Sequence, residues 1–350
     1  MPRMPLFALA ALMPFALICL AAGFGGLWVW AAVLYMTVLT ATLDQAVRWV
    51  MPDAPEGAEF PAANALLVVL ALAHLLAFPL VVWAIAGPSG LRIGQKLLLG
   101  FAAGLWFGQV SNPCAHELIH RGNRVLYGLG VVVYATLLFG HHASAHRLVH
   151  HRFAASLDDP NTAREGESFY HFWWRAWGGS FRQGWRAEAR LRGDRGLHPY
   201  FHYAAISAVS LGLAFVIAGW GGVLVWALLA LHGQMQLLLA DYVQHYGLRR
   251  ARLPNGRLEP VSARHSWNAP HWFSSSLMLN APRHSDHHAH PGRPYPALRL
   301  PAKGDAPYLP YPLPVCCTLA LFPRLWRRVI RRRLAKWQQD CATHSLETKA

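Results

Sequence analysis

Long apolar stretches alternate with short polar, Gly- and Pro-rich connectors over most of the first 245 residues of this 350-residue chain. A helix crossing a bilayer needs about 17–25 mostly apolar residues. Residues 5–23 and 27–43 meet that length as a pair joined by a Gly-rich turn. A polar connector with Asp44, Asp53, Pro55, Glu56 and Glu59 follows, and 62–86 forms a third span. Gly87-Pro88-Ser89-Gly90 reads as a turn, and 91–115 is a fourth span that runs straight into His116. Residues 203–218 and 223–241 are the fifth and sixth, split by Gly219-Trp220-Gly221-Gly222. The pattern predicts an all-α integral membrane protein with about six transmembrane helices.

Residues 125–140 are apolar but short. Histidine clusters flank this segment on both sides, so a crossing here would separate them across the membrane. It is therefore expected to lie in the plane or to re-enter. Residues 152–199, rich in Arg and Trp, are expected to form a long basic loop, with Trp173, Trp174, Trp177 and Trp185 at headgroup level. Beyond residue 246 the chain is polar and Pro-rich. It then carries a short apolar run, 315–322, and a basic amphipathic surface helix around 325–333. The expected organisation is one membrane domain over 1–300 and a basic C-terminal tail over 301–350. The N-terminal apolar run lacks a clean small-residue cleavage site and is expected to be a retained helix.

Composition agrees: 54% of residues are hydrophobic and mean hydropathy is +0.22, more than an ordinary soluble domain carries. Net charge is +15. A basic chain often signals nucleic acid, but only Arg3, Arg48, Arg92 and Lys96 fall in the first 120 residues. Cations concentrated beside spans follow the positive-inside pattern, and anchoring to anionic headgroups accounts for most of the charge. This excludes a nucleic-acid reading and places the histidine clusters and both termini on the cytoplasmic side of the cytoplasmic (inner) membrane. The five cysteines form no C-x-x-C pair, so no rubredoxin-like, zinc-ribbon or iron–sulfur site is encoded.

The candidate chemistry is in the histidines, of which there are 20. His284, His287 and His288 stand at i, i+3 and i+4, one helical face. His116 and His120 are at i, i+4, and His146, His150 and His151 at i, i+4, i+5; His245 stands alone before Tyr246. Clustered protonated imidazoles would repel, and near a membrane they would be costly to desolvate. A metal bound to neutral rings removes both costs. Nine ligands exceed the roughly six that one first-row ion holds, so two metals are implied. Ligand type alone leaves Zn, Cu, Fe and Ni open, while an all-His pair of metals with an open position suits oxygen activation. Glu117, Asp158, Asp159 and Asp286 are candidates to hold a ligand ring through its other nitrogen, or simply to cap helices. The isolated His74, His171, His198, His202, His232 and His344 read as packing or surface residues, and His265, His271 and His290 as neighbours of the site. His116-Glu117-x-x-His120 also fits a zinc-protease helix with Glu117 as general base, but that leaves the other clustered histidines unexplained. A metal carrier or sensor without turnover is the non-enzymatic alternative.

With its three histidine boxes, HELIH at 116–120, QHYGL at 244–248, HSWN at 265–268 and RHSDHHAHP at 283–291, the chain resembles the integral-membrane fatty-acid desaturase/hydroxylase superfamily, and within it the membrane alkane 1-monooxygenases. The resemblance implies a non-haem di-iron centre held by His116, His120, His146, His150, His151, His245, His284, His287 and His288. It implies O2-dependent insertion of one oxygen atom into the terminal C–H bond of an alkane, giving a primary alcohol. It also implies electrons from a rubredoxin or ferredoxin with its reductase, since the chain carries no redox-cofactor motif of its own. Desaturation, or hydroxylation of xylene-type methyl groups or lipids, are the alternatives within the superfamily. Where family members often carry Glu before the lone histidine, this chain has Gln244, a further residue placed beside the centre.

Overall fold

The computed structural model describes residues 3–193 and 195–347. Helices α1 (Arg3–Phe24) and α2 (Leu27–Ala46) form an antiparallel pair. They turn at Gly25 and Gly26, whose φ angles of 61° and 57° suit glycine. Helix α3 is Ala62–Ala86. Helix α4 covers 93–119 and contains a π-turn at Phe107–Ser111. The fourth predicted span thus extends past Ala115, carries His116 inside the helix and ends with His120 as its C-cap.

Helix α5, Arg124–Thr136, starts at Asn123, whose side chain accepts from the N–H groups of Val125 and Leu126. Its 13 residues rise about 20 Å, short of the roughly 30 Å of bilayer hydrocarbon. The chain reverses at 137–141, where Leu138 takes a φ of 55°. Irregular backbone at membrane depth survives only if protein satisfies its polar groups. Here Ser207 Oγ donates to Ala135 O (2.8 Å), Trp226 Nε1 to Thr136 O (2.9 Å) and Gln234 Nε2 to Leu137 O (2.7 Å). His74, buried in α3, sits 2.8 Å from Thr136 Oγ1. The chain turns back after α5, and the histidines on either side of it come together. Helix α6 (142–153) returns the chain to the level of His116, with a π-turn at His146–His150.

The expectation of a loop over 152–199 is corrected. Residues Phe169–Arg192 form helix α7, capped by Ser168, whose side chain accepts from His171 N. Its buried stripe is Phe169, Phe172, Ala176, Ser180, Gly184 and Glu188, near-helical spacing. The abundance of Arg and Trp on the other faces obscures that stripe in the sequence.

Helix α8 spans Pro199–His245 and breaks at Ala218 and Gly219, the latter at φ 58° and ψ −148°. A Cβ on Gly222 would lie 2.1 Å from Ala214 O, so the arms fold back on each other. Ser207 on one arm and Trp226 on the other bond neighbouring carbonyls of α5, as an antiparallel hairpin requires. The second arm lies close on α4: a Cβ on Gly104 would meet His232 Nδ1 at 1.9 Å, and one on Gly108 would meet Gln236 Cβ at 2.3 Å. Small residues at i, i+4 let helices approach this way in membranes. Asn112 Nδ2 donates to Gly233 O at 2.8 Å across the seam.

Short helices α9 (Trp272–Leu277) and α10 (His284–Ala289) follow, then α11 (Leu313–Ala320) and α12 (Pro323–Glu347). Asp44, at the end of α2, accepts from Phe273 N and Ser274 N, supplying α9 with a cap from 230 residues away in sequence. Arg283, 3% exposed, donates to Asp53 Oδ1 (2.5 Å), Leu298 O (2.7 Å) and Met51 O. The first polar connector thereby clamps the segment that opens α10. Four helices are long and apolar enough to cross a membrane, Pro199–His245 being long enough for two passes; with α4, interrupted by its π-turn, the described residues supply six.

Gly108→Val is expected to destabilise the protein by about 1–3 kcal/mol through overpacking against Gln236. Gly94→Ala, which has open space, should leave stability unchanged or slightly raised. Thermal unfolding of both variants in one detergent checks this.

Candidate metal centre

Four elements bring the histidines together. The end of α4 supplies His116 and His120, α6 supplies His146, His150 and His151, the end of α8 supplies His245, and α10 supplies His284, His287 and His288. The rings sort into two groups. His116, His120, His146, His151 and His287 form one, and His150, His245, His284 and His288 the other; within each, one ring nitrogen per residue lies within 4.8 Å of all the rest.

Local helix geometry does the sorting. A π-turn closes i→i+5 bonds, so in α6 His151 returns beneath His146, with their Nε2 atoms 2.9 Å apart. His150 is turned aside, and its ring lies 4.8 Å from those of His245 and His288. In α10 the i, i+4 pair His284 and His288 joins the four-histidine group, with Nε2 atoms 3.1 Å apart, while His287 crosses to the other and meets His151 Nε2 at 3.1 Å. Helices α6 and α10 therefore straddle both groups.

The donor set calls for cations. His284 Nε2 faces His245 Nε2 at 3.0 Å as well as His288 Nε2, and a single ring nitrogen cannot satisfy two others with one proton or one lone pair. Burial first, then neighbouring imidazoles, hold His146, His151, His284, His287 and His288 well below the usual histidine range, so the rings are neutral and offer lone pairs. His150 departs from this pattern. Burial lowers its proton affinity, but the Asp159 carboxylate, 2.9 Å from its Nδ1, overrides that and raises it. Asp159 is itself held ionised despite burial, by His150, Thr162 Oγ1 and Asn161 N. Two compact sets of five and four imidazoles, all but His150 without a carboxylate that would hold a proton on the ring, fit a metal cofactor.

The acids singled out in the sequence go to different places. Asp159 alone of them hydrogen-bonds one of the nine rings. Glu117 pairs with Arg121 (2.7 Å) and accepts from Tyr295 N (3.1 Å). Asp158 pairs with Arg252 on the surface. Asp286 accepts from Arg293 and Arg299 N and meets His290 Nδ1 at 3.0 Å. Gln244 Nε2 donates to Ala281 O at 3.0 Å. His265 meets Glu259 at 3.2 Å; the side chain of His344 lies outside the described residues.

Two further residues face the centre. A cavity of about 60 Å³ on its apolar side is lined by His116, His146, His284, Gln244, Tyr134, Gly108 and Leu237, and also by His142 and Asp241. The His142 ring lies 5.1 Å from that of His146. Sequence reasoning passed over both, although His142 is i−4 from His146 and Asp241 is i−3 from Gln244, spacings that place each pair on one helix face.

Asp159→Asn should cost about 10–100-fold in metal affinity, because the His150 ring loses the carboxylate that orients it. Asp158→Asn should leave affinity unchanged. Chelator competition with metal analysis compares them.

Comparison with known proteins adds to this geometry. Residues 95–318 match the fatty acid desaturase family. The chain is 33% identical over 261 residues to alkane 1-monooxygenase 1 of Alcanivorax borkumensis, covering 73% of this chain and 63% of that protein. It is 31% identical over 322 residues to alkane 1-monooxygenase 2 of Pseudomonas aeruginosa, covering 87% and 83%. It is 31% identical over 258 residues to the alkane 1-monooxygenase of Pseudomonas putida, covering 72% and 63%. The matched stretch thus spans just under two thirds of the first and third of these relatives.

Proposed function

The chain belongs to the fatty acid desaturase family, and from that premise we propose that it is a di-iron alkane 1-monooxygenase of the cytoplasmic (inner) membrane. The observation that carries this reading is the division of nine imidazoles, six of them buried and three half-buried, into two adjoining sets. His116, His120, His146, His151 and His287 would hold one iron, and His150, His245, His284 and His288 the other. When bound, the irons supply the O2 chemistry that oxidises an unactivated C–H bond. The balance is R–CH3 + O2 + 2 e⁻ + 2 H⁺ → R–CH2OH + H2O.

The protein's own residues do the rest. Burial keeps most of the rings neutral and ready to bind metal, while His150, whose proton Asp159 favours, would give that proton up on binding. Asp159 orients His150. The small cavity beside His116, His146 and His284 gives the reacting end of a substrate a place next to both sets, and Tyr134, Leu237 and Met278 help to keep bulk water from it. A second cavity of about 400 Å³ lies between α2, α4, α8 and α11, lined by Met36, Phe101, Leu105, Leu239, Val315 and Leu319 among others. Its apolar character and its position among membrane helices suit a hydrocarbon arriving from lipid. The charge asymmetry of the sequence supports a centre facing the cytoplasm, within reach of a rubredoxin or ferredoxin and its reductase. The resemblance to alkane 1-monooxygenases across most of the chain favours alkanes over the desaturase and methyl-hydroxylase alternatives. The zinc-protease alternative is disfavoured by Glu117, which is committed to Arg121 and Tyr295.

Purified protein is expected to carry about two irons per chain and to place one atom of 18O2 into the primary alcohol of a medium-chain alkane. His116→Ala and His245→Ala, one from each set, should each lower turnover by more than about 100-fold, beyond the cost of losing an outer partner. One zinc per chain, with activity surviving removal of O2, would sink the proposal.

A further inference from the structure

A large cavity lies apart from the nine clustered histidines. It is a groove of about 620 Å³ between the 303–310 segment and helix α12. Its aromatic floor is Trp267, Tyr308 and Trp337, and its exposed rim carries Lys303, Arg333 and Lys336, with Asp340 among the lining residues and exposed Asp305 in the same wall segment. Trp337 is pinned in place by Nε1 donating to Arg264 O at 3.3 Å.

The floor is wired to the candidate centre. Trp267 N donates to Gln244 O at 2.8 Å, the carbonyl of the peptide that joins Gln244 to His245, and Trp267 Nε1 donates to Tyr246 O at 2.9 Å. The next residue, Asn268, accepts through Oδ1 from Ser285 N (3.2 Å) and Ser285 Oγ (3.0 Å), beside His284. Its backbone bonds Pro307 O and Leu309 N, which belong to the groove wall. One hydrogen bond and a few covalent bonds therefore separate the groove from two imidazoles of the four-histidine set.

We propose that this groove is the docking and electron-entry site for a small acidic one-electron carrier protein, and that electrons enter through the Trp267–Gln244 contact to the His245 set. The proposal rests on the oxygenase reading, which requires two electrons per turnover from outside the chain. Each docked carrier is oxidised by one electron; two such events supply the pair consumed with O2 and two protons. Cations around a concave aromatic floor steer an acidic partner and fix its orientation. Electron-transfer complexes bury little surface, so a groove of this size suffices. The outward cations of the same helix, Arg324, Arg327, Arg328, Arg331 and Arg332, are also exposed; they suit lipid headgroups but do not line the groove.

The test uses the full chain in zwitterionic nanodiscs, with an acidic bacterial rubredoxin as the probe. Carbodiimide, which joins carboxylates to amines in contact, is expected to couple rubredoxin to Lys303 and Lys336. The variant carrying Lys303→Glu, Arg333→Glu and Lys336→Glu should weaken rubredoxin binding at low salt by more than about tenfold, as three lost or reversed pairs imply. Arg186→Glu, Arg190→Glu and Arg195→Glu together, the same charge change outside the groove, should alter it by less than about twofold. Coupling confined to other residues, or equal weakening by both triple variants, would overturn the proposal. So would protection of Lys303 and Lys336 by phosphatidylglycerol that rubredoxin cannot displace, which would make the groove a lipid site. Binding and coupling at the groove without any alkane oxidation would leave the docking site standing and remove the oxygenase reading instead.

Discussion

Nine imidazoles packed into two adjoining groups are unfavourable unless a cation sits among them. Protonating them is costly in a buried site, and leaving them neutral points lone pairs at one another at about 3 Å. Much of the surrounding architecture keeps these rings where that conflict arises. The π-turn in α6 parts His150 from His151, Asp159 holds His150, and Arg283, tied to residues 51–53, fixes the start of α10. Because α6 and α10 each serve both groups, neither group can be displaced without disturbing the other.

That arrangement depends on the turn-back after α5. The chain must leave the level of His120 and come back with His146 on the same side, which no full crossing allows. The turn-back leaves carbonyls without helical partners, and Ser207, Trp226 and Gln234 of α8 satisfy them. These polar residues within apolar spans read as isolated interruptions along the chain. In three dimensions they are what makes the reversal possible. The close Gly104 and Gly108 contacts belong to the same design, since they bring the second arm of α8 near enough for Gln234 and Asn112 to bond across the seam.

The site has two contrasting sides. Toward the apolar helices lie the small cavity with Asp241 and His142 and, one helix face away, the larger apolar cavity. Away from them lies a basic, aromatic groove whose floor is hydrogen-bonded to the backbone beside His245. The centre thus has an apolar approach on one side and a charged approach on the other.

The sequence by itself determined the helical membrane class, the six long apolar stretches and which histidines cluster, because apolar runs and helical spacing both leave periodic, local marks. Even the turn-back after α5 was legible, since the two histidine clusters flanking that short stretch must meet to share a site. What only the tertiary structure decided was partnership. Which ring joins which group depends on a π-turn that local spacing does not reveal. Of five polar candidates beside the clusters, Asp159 faces a ring while Asp158, its neighbour, faces solvent; one residue of rotation separates them. Helix α7 was hidden under its Arg and Trp, and Asp44 and Arg283 act over some 230 residues of separation. Contacts of that kind are fixed by packing, and a one-dimensional pattern carries no trace of them.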